Sequence, residues 1–326
     1  MRPLLLALAI CLAAPANAQD LSGAGRYDAV TIAGFTLPLA DVARLEQAGV
    51  LRRDPGTGRF AFDPAVTSER ALNARLAGLT LDRPTAQRDL YRAAKVALPN
   101  AAAHALTVPS GFGPARFANQ PARAALSASI GGVNRVPYTA QGDGALGLGL
   151  SFGNGFRGLG VGLMVSANDL SDFGNLDRMS FGFSISRYLW DGLSLSLGGE
   201  NLLVRDTDGE ASFSLAASWA FDRVQMPFAG TLTFGAGSGR FAHATPRDIA
   251  EGRAPRGTAV FAALSAEVSD HLNLIAEWNG RNLNAGLALA LPRTGVSVKL
   301  GVENLTHHSG DGPILTGSVG FTLIRF

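Results

Sequence analysis

The chain has 326 residues, 40 of them glycine, with 47% hydrophobic and only 17% charged residues and a formal net charge of +2. That balance gives no support to a nucleic-acid role, and beyond the N-terminus no apolar run is long enough for a transmembrane helix, which excludes a helical membrane protein. Cys11 is the only cysteine, so disulfides contribute nothing to stability.

The N-terminus reads as a secretory signal over residues 1–18. Arg2 is followed by an apolar run over 4–14 and by Pro15-Ala16-Asn17-Ala18, a small-residue cleavage site before Gln19. A lipoprotein reading of Cys11 is disfavoured, because bulky Ile10 precedes it and the apolar run before it is short.

Residues 19–103 predict a small helical region, either a periplasmic domain or a plug. A short helix is expected over 39–48 with Gly49 as its stop, a second from Asp63-Pro64 to Leu79, and a third from Pro84 to a point before Pro99. A small strand is expected within 58–62. Arg70, Arg75, Arg88, Arg92 and Lys95 outnumber Glu69, Asp82 and Asp89, a basic excess that would complement an acidic lumen, although mixed charge is also what a solvated helix face shows. Residues 104–123, which contain Pro109-Ser110-Gly111-Phe112-Gly113-Pro114, read as a linker.

From Ala124 onward the period becomes two. Leu146, Leu148, Leu150 and Phe152 alternate with glycine and serine, as do Phe181, Phe183 and Ile185, and the rhythm returns at Leu193/Leu195/Leu197, Leu272/Leu274, Leu287/Leu289/Leu291 and Val296/Val298/Leu300. Residues 124–326 therefore predict an all-β transmembrane barrel of about twelve antiparallel strands. The connections alternate in length. Longer polar ones are centred on Tyr138, Ser171, Asp208, Pro246 and Ser309 and should face outward, whereas tight ones, including 190–192, 269–271 and 292–294, should be periplasmic turns. The ninth, at Gly280-Arg281, is short where a longer loop is expected, so a strand pair is open to miscounting there. The chain ends on Phe326, the terminal aromatic that barrel-assembly machinery reads. Ile324 shares its parity while Val319, Phe321 and Leu323 hold the opposite one, an offset that a β-bulge would reconcile.

The stretches Pro109-Ser-Gly-Phe-Gly, Asp143-Gly-Ala-Leu-Gly-Leu-Gly, Leu197-Gly-Gly-Glu-Asn-Leu, Phe234-Gly-Ala-Gly-Ser-Gly-Arg-Phe and Leu274-Ile-Ala-Glu-Trp-Asn-Gly-Arg-Asn-Leu-Asn-Ala-Gly carry a resemblance. In them the chain resembles an uncharacterised outer-membrane β-barrel family of Gram-negative bacteria and cyanobacteria. The Glu-Trp-x-Gly stretch is also similar to exopolysaccharide-associated outer-membrane barrel proteins. The resemblance implies a barrel in the outer membrane and brings no established activity.

If the apolar parity faces lipid, Glu200, Glu277 and Glu303 face the lumen, each late in a rising strand, and Glu267 lies inward near the periplasmic end. One reading is an acidic collar selecting cations or binding sugars. The other is structural pairing with interior bases such as Lys299. Trp190, Trp219, Trp278, Tyr188 and Phe221 fall near strand ends and fit interfacial girdles. The loop 205–210 has two aspartates but lacks the other ligands of a calcium loop, and His307-His308 form no preformed metal site. Ser110 lies outside any nucleophile elbow and 235–240 lacks the ending of a phosphate loop, so no enzyme, cofactor or metal is expected. The sequence thus predicts a passive pore, or a barrel associated with envelope or exopolysaccharide export, with a non-conducting structural or adhesive barrel as the alternative. Its expected partners are outer-membrane lipid, the assembly machinery, and small solutes or polysaccharide.

Overall fold

A computed structural model describes residues 29–79, 102–113 and 124–325, apart from 33–34, 56–57, 59, 64–73, 154, 156–158, 169, 171–177, 191–192, 205–209, 222–225, 254–255, 270, 292–293 and 309. The signal-peptide reading, the helix expected from Pro84, the loop 205–209 and Phe326 all lie outside the described residues.

The N-terminal part starts with an antiparallel hairpin, β1 (Ala29–Ile32) and β2 (Phe35–Pro38), followed by a helix, Leu39–Gln47, and a second pair, β3 (Leu51–Arg53) with β4 (Phe60–Phe62). The helix and the small strand stand where they were expected. Over 29–38 the helical expectation is corrected to a hairpin, in keeping with the β-branched and aromatic residues Val30, Thr31, Ile32, Phe35 and Thr36. Val42 and Leu45, one helical turn apart, are buried with Leu37, Val50, Leu51 and Leu76. Gly49 ends the helix at φ +67°, where Val50 N–H donates to Leu45 O at 2.8 Å.

The barrel follows as β5 (Ala124–Val133), β6 (Asp143–Gly153), β7 (Gly160–Ala167), β8 (Met179–Trp190), β9 (Leu193–Leu202), β10 (Ser212–Phe221), β11 (Gly230–Gly237), β12 (Val260–Ser269), β13 (Leu272–Trp278), β14 (Leu283–Leu291), β15 (Val296–Glu303) and β16 (Ile314–Arg325). These twelve strands form one closed antiparallel barrel in which each pairs with its sequence neighbours and β16 returns to β5. The register shifts between Thr322 and Ile324, which supplies the expected irregularity at the end of the last strand.

Alternation sorts the side chains. Leu148 and Phe234 point outward, each 58% exposed, with Leu274 and Leu300 at 52% on the same face, an apolar exterior that calls for lipid rather than water. Ser194, Ser196, Ser218, Thr231, Thr233, Ser265 and Asn273 take the opposite parity and are buried inside. The antiparallel order puts the strand ends joined by the long connections, after β5, β7, β9, β11 and β15, at one end of the barrel and those joined by the tight turns after β8, β12 and β14 at the other. The ninth connection, 279–282, is short without any strand being miscounted. Asn279 Oδ1 accepts from the backbone N–H groups of Arg281 (3.0 Å) and Asn282 (2.8 Å), and Gly280 takes φ +97°, so a side-chain-closed turn replaces a loop.

Twelve strands about 4.8 Å apart and tilted by about 40° give a circumference of about 75 Å and a backbone diameter of about 24 Å. Inward serines and glycines cannot fill that width. The segment that fills part of it is unexpected: residues 102–113, all but the first two from the presumed linker, lie inside the barrel, with Ala102, Leu106, Val108 and Phe112 buried. The linker reading is corrected accordingly over these residues.

Candidate functional site: a half-filled lumen

Residues 102–113 form a loop that rises from the short-turn end and returns to it. Near the start of β13, Asn273 Nδ2 donates to Ala103 O at 2.9 Å. Beside it His104 Nδ1 lies 3.2 Å from Ser265 Oγ and 3.3 Å from Thr231 Oγ1. The apex reaches Glu277, near the other end of β13. Its carboxylate accepts the N–H groups of Leu106 (2.8 Å) and Thr107 (3.0 Å), the Thr107 hydroxyl (2.5 Å) and Asn284 Nδ2 (3.1 Å). Lys299 Nζ donates to Leu106 O at 2.6 Å, and Arg240 Nη2 donates to Thr107 O at 2.7 Å.

The returning limb follows a ladder of hydroxyls. Ser196 Oγ donates to Ser110 O and Ser194 Oγ to Gly111 O, both at 2.8 Å, while Gly111 N–H donates to Ser218 Oγ at 2.8 Å. Glycine is required at 111 by proximity: a Cβ there would sit 2.5 Å from both Ser194 O and Ser218 N. Small apolar contacts complete the seat. Ala102 and Leu106 pack with Ile275, Ala288 and Ala290, and Ala105 and Val108 pack with Ala216, Phe241, Phe261 and Ala263.

The loop fills only the side of the lumen walled by β9–β15 and, at Gly113, by Ser186 near the end of β8. Across from it, β5–β8 and β16 present Ser127, Ser129, Gly147, Gly149, Gly182 and Ser318, too small to reach it. Three adjoining cavities, about 880, 610 and 390 Å³, occupy the gap. The first opens among the long connections beside Asp143, Arg178, Arg247 and Lys299, and shares Gly131, Asn168 and Lys299 with the second. The second and third share Met164, Gly182 and Glu200, and the third passes Thr107 and Ser110 of the loop toward Ser151. A continuous crevice of mixed polar and apolar lining therefore runs beside the loop.

The residues singled out from sequence separate in space. Glu277 points inward but is only 2% exposed, bound to the loop's main chain rather than to channel water. Glu200 lines the crevice, paired with the Arg240 guanidinium. Lys299 lines it too while holding Leu106. Glu303 shares the lumenal parity of Lys299 at the end of β15, and Glu267 that of Ser265 on β12. An acidic collar facing open water is thus not what Glu277 and Glu200 form; each is committed to a partner. Arg240 was missed because it closes a glycine-rich run, 235–240, that was weighed only as a phosphate loop. Trp219 and Phe221 meet at a tilt with ring centres 5.5 Å apart at the short-turn end, and Phe221 meets Phe228 at 5.5 Å, whereas Trp278 stands at the opposite rim with Nε1 donating to Thr258 Oγ1 at 3.1 Å.

The mouth at the long connections is latched by Asp248, in the helical turn Pro246–Ala250. Tyr138 Oη donates to it at 2.6 Å, Thr245 N–H at 2.8 Å and Arg281 Nη1 at 2.7 Å, tying 238–259 to 134–142 and to the ninth connection. Burial works to raise this carboxyl, but the hydrogen bonds from Tyr138 and Thr245, with Arg281 beside it, together hold it below the usual carboxylate range. The Tyr138 phenol is pushed up to about 12 by burial first and by its bond to Asp248 second. Arg135 Nη1 donates to both carboxylate oxygens of Asp311 (2.9 and 3.0 Å), joining the first and last long connections.

No protein-family model matches the chain, and no curated protein matches it. Among solved structures it is similar to mutants of Rh. blastica porin, one at 13% identity and TM-score 0.28, and a triple mutant at 14% identity and TM-score 0.27, each match covering 56% of this chain. The match spans about half the length of those porins, 55% of each. The barrel rests on its own strand pairing, independently of that likeness.

Proposed function

We propose that the chain is an outer-membrane barrel acting as a passive pore, narrowed by its own loop to a crevice for small polar solutes. The observation that carries this reading is the continuity of the three cavities past residues 102–113, lined by hydroxyls, backbone and charged groups among apolar side chains. The apolar exterior and the closure of the twelve barrel strands without a free edge fit a barrel whose strand backbone is satisfied within lipid. An extended polysaccharide strand is the larger cargo that the exopolysaccharide resemblance brings, and the assembly machinery is the partner that the last strand would meet.

Liposome swelling tests the proposal. Vesicles carrying the refolded chain should admit small sugars and exclude larger oligosaccharides, with a cutoff that rises when residues 102–113 are deleted. Vesicles that stay impermeable in both forms would instead support a non-conducting barrel that presents its latched connections to a partner.

A further inference from the structure

We propose that residues 102–113 are a withdrawable gate, which leaves only the crevice open when seated and frees the whole lumen when it slides out. The inference rests on the pore reading and adds a second conducting state to it.

The loop contributes nothing to barrel closure. Every barrel strand is hydrogen-bonded to two neighbouring strands, so departure of the loop breaks no strand pairing. Its contacts show that both limbs lie toward the short-turn end, Ala103 against Asn273 and Gly111 against Ser194, with only the apex at Glu277. A loop seated this way can leave without threading an end through the barrel.

Its fasteners also differ from those of a permanent core. The barrel grips main-chain atoms: Glu277 takes the Leu106 and Thr107 amides, Lys299 and Arg240 hold the following carbonyls, and Ser194, Ser196 and Ser218 hold residues 110 and 111. The groups left behind on withdrawal are hydroxyls, an amide, a carboxylate and two cations. Water satisfies each of them, so an emptied wall carries no set of orphaned buried polar groups. The apolar part of the seat is supplied on the loop side by Ala102, Ala105, Leu106, Val108 and Phe112, with three of the five no larger than valine.

A reversible lock tests the gate. Ser110 Oγ lies 3.5 Å from Ser218 Oγ, so Ser110→Cys with Ser218→Cys places two thiols within bridging reach of one another. A Cys11→Ser background leaves no other cysteine. In planar bilayers the full-length reduced protein should switch between a small and a large conductance. Oxidation should abolish the large state and reductant should restore it.

Gly111→Ala provides a second route that leaves every barrel strand unaltered. Its Cβ would collide with the wall backbone, and the occupancy of the large state should rise about tenfold or more. The gate is overturned if the oxidised pair, its bridge verified by mass spectrometry, keeps the same distribution of conductances as the reduced form. Absence of current in every form, including one with residues 102–113 deleted, would overturn the pore reading and the gate with it. Current that rises on deletion but never switches in the intact chain would retain the pore and reject the gate.

Discussion

Replacing Glu277 with glutamine tests how the loop is held. The carboxylate accepts from Leu106 N–H at 2.8 Å, Thr107 N–H at 3.0 Å and the Thr107 hydroxyl at 2.5 Å, and also from Asn284 at 3.1 Å. Glutamine keeps the size, loses the charge and turns one acceptor into a donor, so at least one loop amide meets an N–H₂ group where it met oxygen. A hydrogen bond to a charged group contributes about 1.5–3 kcal/mol, and a buried donor left unsatisfied costs about 1–3 kcal/mol. Because these bonds share one side chain they do not add, and the expected loss in loop docking is about 2–4 kcal/mol. At about 1.4 kcal/mol per decade, the amides of Leu106 and Thr107 should exchange with deuterium about 30- to 700-fold faster. Amides of Leu274 and Leu287, paired across β13 and β14, should keep their protection. Unchanged exchange at 106 and 107 would refute the reasoning. Equal acceleration in β13 and β14 would show that Glu277 supports the barrel rather than the loop.

Two further outcomes follow from the charged groups. Tyr138 should titrate near 12, read by its ultraviolet difference spectrum, and Asp248→Asn should bring that midpoint back toward 10. The raised phenol keeps its proton longer in the folded state, so the latch loses stability as pH rises from about 10 through 12; the lowered Asp248 carboxyl contributes stability that is full above the usual carboxylate range and is lost as pH falls from there through its own lower midpoint. Arg240→Gln should move the reversal potential of the pore toward cations, because Glu200 then lines the crevice without its guanidinium partner. Glu277→Gln should move it far less, and a reversal potential insensitive to Arg240→Gln would remove Glu200 from the conducting path.

The barrel was legible because its physics is periodic. Leu146, Leu148, Leu150 and Phe152 against Gly147, Gly149 and Ser151 show which face meets lipid, and the alternation of long and tight connections sets the strand count. The offset among Leu323, Ile324 and the residues before them announced the register shift, since a one-residue slip must swap faces. The hairpin at 29–38 was hidden because strands this short carry too few alternations to outweigh a helical reading of the surrounding chain.

The lumenal loop was hidden for a different reason. An extended irregular segment has no period, and its Pro, Gly, Ser and Ala content is that of any linker. The barrel holds residues 102–113 largely through main-chain amides and carbonyls, which every sequence possesses, so no side-chain motif records the docking. Parity placed Glu200, Glu277 and Lys299 inside, but parity gives direction and not partners. What turns a would-be collar into a clamp is Arg240, brought over from 238–259, together with an apex contributed from more than half a chain away. A glycine between serine and phenylalanine, Gly111, was the sequence's one trace of close backbone approach.

The central claim is that solutes cross through the crevice between the loop and the small-residue wall. Single-channel conductance in planar bilayers, comparing the natural chain with one carrying Ser129→Trp and Ser166→Trp, tests it most directly, since both serines line the middle cavity on strands, β5 and β7, that hold none of the loop's fasteners. The account predicts a measurable conductance in the natural chain that falls severalfold in the variant while the unheated protein keeps its folded mobility on gels. A conductance unaffected by the two tryptophans, or no conductance in the natural chain, would contradict it.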